Sequence, residues 1–145
     1  MMEIQIHNRQ EICKIDRRKI ILLVKETLGK FLSCQGEINV IIVDNRKIRE
    51  LNKKYLHRSA ATDVIAFSYN TRSKKEDFYG DVFISAEQAE KQAKDYRNTL
   101  KSEMHFLVIH GILHLLGWED DTTEQRKKML KKQEEILKRF SLNKL

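Results

Sequence analysis

Two imidazoles, a glycine and a carboxylate stand close together in the run His110-Gly111-Ile112-Leu113-His114-Leu115-Leu116-Gly117-Trp118-Glu119-Asp120. Four residues of helix advance a side chain by only about 40°, so His110 and His114 share a face and can grip one ion. Gly117 can adopt positive φ and end that helix, letting the chain turn back toward the same ion. Asp120 is then placed as the third ligand. Three protein ligands with an open fourth position describe a catalytic zinc site better than a structural one. Single histidines on an apolar helix are usually hydrogen-bonded core groups; the pair, the terminating glycine and the spaced carboxylate together separate this run from that background.

Zinc held by His110, His114 and Asp120 would lower the pKa of a bound water to about 7 and polarise a carbonyl or phosphoryl oxygen, which implies hydrolysis. The spacing resembles the metzincin peptidase pattern His-Glu-x2-His-x2-Gly-x2-His. The glutamate that serves those peptidases as general base corresponds here to Gly111. Peptide hydrolysis is therefore disfavoured. Cleavage of an RNA phosphodiester is less demanding, because a 2′-hydroxyl or metal-bound hydroxide can attack and the leaving alkoxide can be stabilised electrostatically. His105 lies about 140° from His110 around the helix and should face elsewhere. Asp121 departs from the glycine spacing, and Glu119 points away if Asp120 points in. His7 and His57 have no partner in sequence and read as surface residues, with His57 a weak candidate for substrate contact.

The elements that must hold these groups belong to a chain of 145 residues with net charge +7, long enough for one domain with a full core. Residues 1–60 carry 13 Lys/Arg against 7 Asp/Glu, residues 61–117 carry 7 against 8, and residues 118–145 carry 8 against 6. The basic excess precedes the histidines, which suits a polyanionic partner held beside the metal. Cys13 and Cys34 lack Cys-x-x-Cys spacing and read as free thiols in a reducing compartment. No apolar run approaches a membrane span and residues 1–18 lack a signal-peptide core, so a cytoplasmic location is expected.

Ile4 and Ile6 alternate with polar residues as a short strand. Asp16 can cap a helix carrying Ile20, Leu23, Val24, Leu28 and Phe31, with Gly29 near its end. Ile38 to Val43 suits a buried central strand. Asp44 caps a helix with Ile48, Leu51 and Tyr55 inward. Val64–Phe67 and Asp81–Ile84 are two further strands, with an exposed, mobile loop expected from Asn70 to Asp77. Ser85 to Gln88 reads as a capping box for a helix to about Asn98. Residues from about Leu100 to Leu116 form a helix with almost no polar face, which should be the buried centre. Thr122 to Gln125 is another capping box, opening a last helix with Met129, Leu130, Gln133, Ile136, Leu137 and Phe140 on one stripe. The expected fold is α/β (α+β): a small mixed sheet of about four strands with about five helices, one buried and apolar and carrying the metal site.

The chain resembles the YbeY family of bacterial metal-dependent endoribonucleases, whose signature reads His-Gly-x-Leu-His-Leu-x-Gly-Tyr-Asp-His. That block is His110 to Asp120 here, with Trp118 for the tyrosine, Glu119 for the aspartate and Asp120 for the final ligand histidine. A second block, Thr-Asp-Val-Leu-Ser-Phe, stands as Thr62-Asp63-Val64-Ile65-Ala66-Phe67, and a third, Gly-Asp-Ile-x-Ile-Ser, as Gly80-Asp81-Val82-Phe83-Ile84-Ser85. Leu51-Asn52 and Tyr55 match the segment before the second block. The resemblance implies a single-strand-selective endoribonuclease in 16S ribosomal RNA maturation and ribosome quality control, with zinc or a similar divalent metal as cofactor. It implies ribosomal RNA and the small subunit with its assembly factors as partners. Two departures matter. Asp120 makes the ligand set more anionic, which weakens the Lewis acid or shifts metal preference. The family's arginine after the tyrosine is Leu56 here, and Arg58 is the candidate to replace it in phosphate binding. The alternatives are a non-catalytic ribosome-assembly factor with a structural zinc, and a divergent metallopeptidase.

Overall fold

Met2, Ile4 and Ile6 alternate with Glu3, Gln5 and His7, and the segment forms strand β1 (Met2–Asn8), with Met2 and Ile6 buried. The computed structural model describes residues 2–56, 62–69 and 77–142. From β1 the chain enters helix α1 (Arg17–Leu28), whose first turn is capped by Asp16 Oδ1 accepting from the Lys19 amide at 3.2 Å. Strand β2 (Gln35–Val43) then lies parallel to β1. Helix α2 (Asn45–Leu56) follows, its start capped by Asp44 as the sequence predicts, with Oδ1 accepting from the Lys47 amide at 2.9 Å. Strand β3 (Val64–Ser68) is antiparallel to β4 (Asp77–Ser85), and β4 is parallel to β2, giving the order β1-β2-β4-β3. Helices α3 (Ala86–Asp95), α4 (Leu100–Leu115) and α5 (Thr123–Leu142) complete the described elements. Among the described residues there are five α-helices and four strands, the α+β fold that the periodicities predict.

The sheet is sided by its pleat. Ile38, Val40 and Ile42 of β2, with Val82 and Ile84 of β4, face a core completed by α1, α4 and α5. Ile41 and Val43 face the other way, onto Ile48 and Leu51 of α2 and Ile65 of β3. The last four residues of β2 are all buried, because α2 and α4 cover opposite faces of the same strand. Helix α4 packs against α1, α3, α5, β3 and β4 and of its residues only Lys101 is exposed, which explains its apolar composition. Among the described residues no helix is long and apolar enough to cross a membrane.

Several expectations need correction. Tyr55 was expected inward but is 53% exposed. The inward position of that turn is taken by Asn52, 3% exposed, while the Tyr55 ring reaches edge-on to Phe67 at 5.4 Å on the sheet edge. Phe31 lies beyond the helix, in a 3-10 turn that begins where Gly29 turns to φ 54°. Helix α3 stops at Asp95, and Arg97 rather than glycine takes positive φ at 52° to close it. Leu130 is 47% exposed, on the rim of α5, whereas Met129, Gln133, Ile136 and Phe140 form its buried stripe. Asp77 opens β4 instead of closing a loop, and the rest of that loop lies outside the described residues, as do His57 and Arg58.

Candidate metal centre

Local backbone geometry brings the three predicted ligands together. The Leu116 carbonyl end of α4 closes in a Schellman arrangement: the Trp118 amide donates to Leu113 O and the Gly117 amide to His114 O, both at 3.0 Å. That arrangement needs a left-handed residue, and Gly117 supplies it at φ 97°. The chain reverses there, and Asp120 returns alongside the two imidazoles. Its Oδ2 lies 3.5 Å from His110 Nε2 and 3.3 Å from His114 Nε2, and the two Nε2 atoms are 3.0 Å apart.

These distances test whether an ion fits. A tetrahedral ion with bonds of about 2.0–2.1 Å separates its ligand atoms by about 3.3 Å. The observed edges of 3.0, 3.3 and 3.5 Å bracket that value. The three groups form a set that could hold a metal ion. Their side chains are 22%, 27% and 38% exposed, so the triangle is reachable from solvent.

Each member is oriented by a second group. The His114 Nδ1–H donates to the Trp118 carbonyl at 2.9 Å, which leaves its Nε2 lone pair facing the triangle. The His110 imidazole is hydrogen-bonded with the side chain of Gln133 on α5. Gln133 is 3% exposed and uses its amide nitrogen on Phe106 O, leaving the amide oxygen for the imidazole. Arg126 clamps the returning segment, donating from Nη1 to Asp120 O at 3.3 Å and to Asp121 O at 3.0 Å. The predicted Thr122–Gln125 capping box forms in both directions: the Gln125 amide donates to Thr122 Oγ1, and Gln125 Oε1 accepts from the Thr122 and Asp121 amides. Gln125 Nε2 also donates to Glu119 Oε2, which turns Glu119 away from the triangle.

Burial, then the neighbouring His114 imidazole, pulls the His110 pKa below the usual imidazole range, against the opposing influence of Gln133, Asp63 and Asp120. The lowering favours the neutral ring, the form that ligates. His105 sits apart, 7% exposed and edge-on to Phe140 at 5.9 Å, as its helical angle predicts. Gly111 has a positive reason for lacking a side chain. A Cβ there would fall 2.3 Å from Val82 Cγ1 and 3.2 Å from Val64 Cγ2. The position faces the sheet, so a glutamate base has no room where the peptidase pattern would need one.

Sequence reasoning passed over three contributors. In the sequence Gln133 is one more stripe position, and a polar residue among inward apolar ones is its only signal. Arg126 carried no signal beyond its charge. Asp63 carries no sequence signal beyond its place in the block Thr62 to Phe67, yet it lines a cavity next to His110.

An α+β protein with a partly exposed His-His-carboxylate triangle of divalent-cation dimensions is built on the plan of a metalloenzyme. The family model described as "Endoribonuclease YbeY" matches residues 5–141. Proteins of that name from Acholeplasma laidlawii, Petrotoga mobilis and Brevibacillus brevis are 43%, 37% and 35% identical, covering 83%, 92% and 98% of this chain and 86%, 92% and 99% of their own. A Thermotoga maritima protein solved in solution is similar over 99% of this chain and 94% of its own, at 26% identity and a TM-score of 0.57. The chain belongs to the endoribonuclease YbeY family.

Proposed function

We propose that this chain is a metal-dependent endoribonuclease of single-stranded RNA, with His110, His114 and Asp120 as the ligands of one zinc ion. Its proposed substrate is ribosomal RNA, cleaved during 16S maturation and quality control of the small subunit in the cytoplasm, together with that subunit's assembly factors. The observation that carries the reading is the donor triangle, whose edges match the tetrahedral spacing and whose imidazole nitrogens are aimed by Trp118 O and Gln133. Membership of a family whose relatives are named endoribonucleases supports the substrate class.

Zinc, when bound, supplies Lewis-acid polarisation and a hydrolytic nucleophile near neutral pH. The residues supply everything else. His110, whose pKa burial lowers, and the Trp118-oriented His114 present their Nε2 atoms to the ion. Asp120, its backbone fixed by Arg126, adds a negative charge that holds a divalent cation and lowers its electrophilicity. The side of the triangle left to solvent accepts the phosphodiester. The 13 Lys/Arg of residues 1–60, Arg58 among them, supply the charge that retains an RNA backbone. The filled space over Gly111 supports a nuclease rather than a peptidase.

The test compares chelator-stripped protein with protein reconstituted with zinc, on an unstructured RNA and on a hairpin of the same composition. Zinc-restored cleavage confined to unpaired nucleotides is expected. Equal cleavage with and without metal, or cleavage of casein in place of RNA, overturns the reading.

A further inference from the structure

Two hollows meet at the triangle. A shallow one of about 400 Å³ runs along the edge strand at Val64–Ala66, past His114 and Trp118. A deeper one of about 310 Å³ sinks between α3, α4 and α5, with His110 and Asp120 in its wall. A strand whose phosphate rests on the triangle therefore has room for a nucleotide on either side.

We propose that the deeper cavity holds the nucleobase adjoining the scissile phosphate, and that Asp63 makes it select guanine. This rests on the endoribonuclease reading above and adds the identity of the base.

Size comes first. At about 310 Å³ the cavity is at the small end of ligand pockets and has room for a base. Its walls come next. Phe106, Tyr96 and Arg126 line it, and aromatic rings and guanidinium planes are the groups on which unstacked RNA bases stack. Its polar end decides the selection. Asp63, Gln92 and Glu103 converge there, with Glu103 only 5% exposed. Gln92 donates one amide N–H to Asp63 Oδ2 at 3.2 Å, which holds the carboxylate in place and leaves the Gln92 carbonyl oxygen and second N–H to offer. Among the described residues Asp63 Oδ1 accepts only from the Thr62 hydroxyl, at 3.4 Å, and a carboxylate oxygen can accept again. The Asp63 carboxylate is the principal acceptor of this end. Guanine alone among the four bases carries two adjacent N–H donors, N1–H and N2–H, on its Watson–Crick edge, and a carboxylate can take both at once. Uracil offers a single N3–H flanked by two carbonyls, which would abut that carboxylate, while adenine and cytosine each place one amino group beside an acceptor nitrogen.

The experiment measures binding to chelator-treated protein by fluorescence anisotropy, using single-stranded oligoadenylates that carry one central guanine, inosine or uracil. Inosine keeps N1–H and lacks the 2-amino group. The guanine oligonucleotide is expected to bind about tenfold tighter than the inosine one, and Asp63→Asn to abolish that difference. Equal affinity for guanine and inosine in the wild type overturns the proposal, as does a preference that survives Asp63→Asn. Should the variant fail to fold, nuclear magnetic resonance of the wild type decides: guanosine monophosphate is expected to shift the Phe106 and Gln92 signals more than inosine monophosphate, and equal shifts overturn the proposal. RNA bound without base preference refutes the guanine pocket alone. RNA neither bound by the stripped protein nor cleaved by the zinc-loaded protein refutes the endoribonuclease reading with it.

Discussion

Replacing Gly111 with alanine sets an intrinsic gain against a steric cost. Glycine to alanine inside a helix is worth about 1 kcal/mol in favour of the variant. Against this, the new methyl would lie 2.3 Å from Val82 Cγ1, where carbon atoms rest at about 3.5–4.0 Å. Val64 Cγ2, at 3.2 Å, blocks a sideways escape. Strand β4 cannot retreat either, because α2 packs on its far side. Helix α4 must therefore lift by about 1 Å or more, or Val82 must leave its rotamer, and overpacking of this kind costs about 1–3 kcal/mol. With the contact so short the upper end applies, and the expected net loss is about 1–2 kcal/mol. Val82→Ala alone should cost about 2 kcal/mol through the cavity it leaves. In the double variant that cavity receives the new methyl, so the two changes should couple favourably by about 2 kcal/mol. Urea unfolding of the four proteins in the presence of chelator measures this without a metal contribution. A Gly111→Ala variant more stable than wild type by the full helical gain, or two substitutions that simply add, would refute the claim that packing against the sheet requires glycine here.

Three further outcomes follow from the groups around the triangle. Gln133→Leu removes the acceptor that orients His110 and should weaken zinc affinity about 10- to 100-fold, as competition with a chromophoric chelator would measure, with the far-ultraviolet spectrum unchanged. Asp120→His replaces an anionic ligand with a neutral one, so the acid limb of the pH–rate profile should move to lower pH, and a shift to higher pH contradicts the assigned role. Burial, then the charge of Asp63, pushes the Glu103 carboxyl up, against a hydrogen bond with Asn98. The stability this group contributes is then fully present below the ordinary carboxylate pKa and lost as pH rises through the raised value. Glu103→Gln should accordingly raise the Tm at about pH 8 and leave it unchanged at about pH 4.

What the sequence made legible was whatever depends on short-range geometry. The angle between His110 and His114, the left-handed Gly117 and the Thr122–Gln125 cap each follow from a few consecutive residues, and the structure bears them out. The buried helix and the central strand were legible for a related reason: a segment covered on every side has to be apolar throughout. Partners distant in sequence were not legible. Periodicity places Gln133 on the inward stripe of α5 but cannot say that His110 lies across from it. Gly111 looked like a missing base because composition reports an absent side chain, not the valine that occupies its space. Tyr55 and Leu130 were misplaced for the same reason, since a helical angle names a face without saying where the neighbouring element ends.

The central claim is that His110, His114 and Asp120 bind one divalent ion on which RNA cleavage depends. Its most direct measurement is elemental analysis of purified wild type and of His110→Ala, His114→Ala and Asp120→Ala, each assayed on the same unstructured RNA. About one zinc per wild-type chain is expected, with metal content and cleavage lost together in the histidine variants while their unfolding remains cooperative. A His114→Ala protein that keeps both its metal and its cleavage would contradict the account.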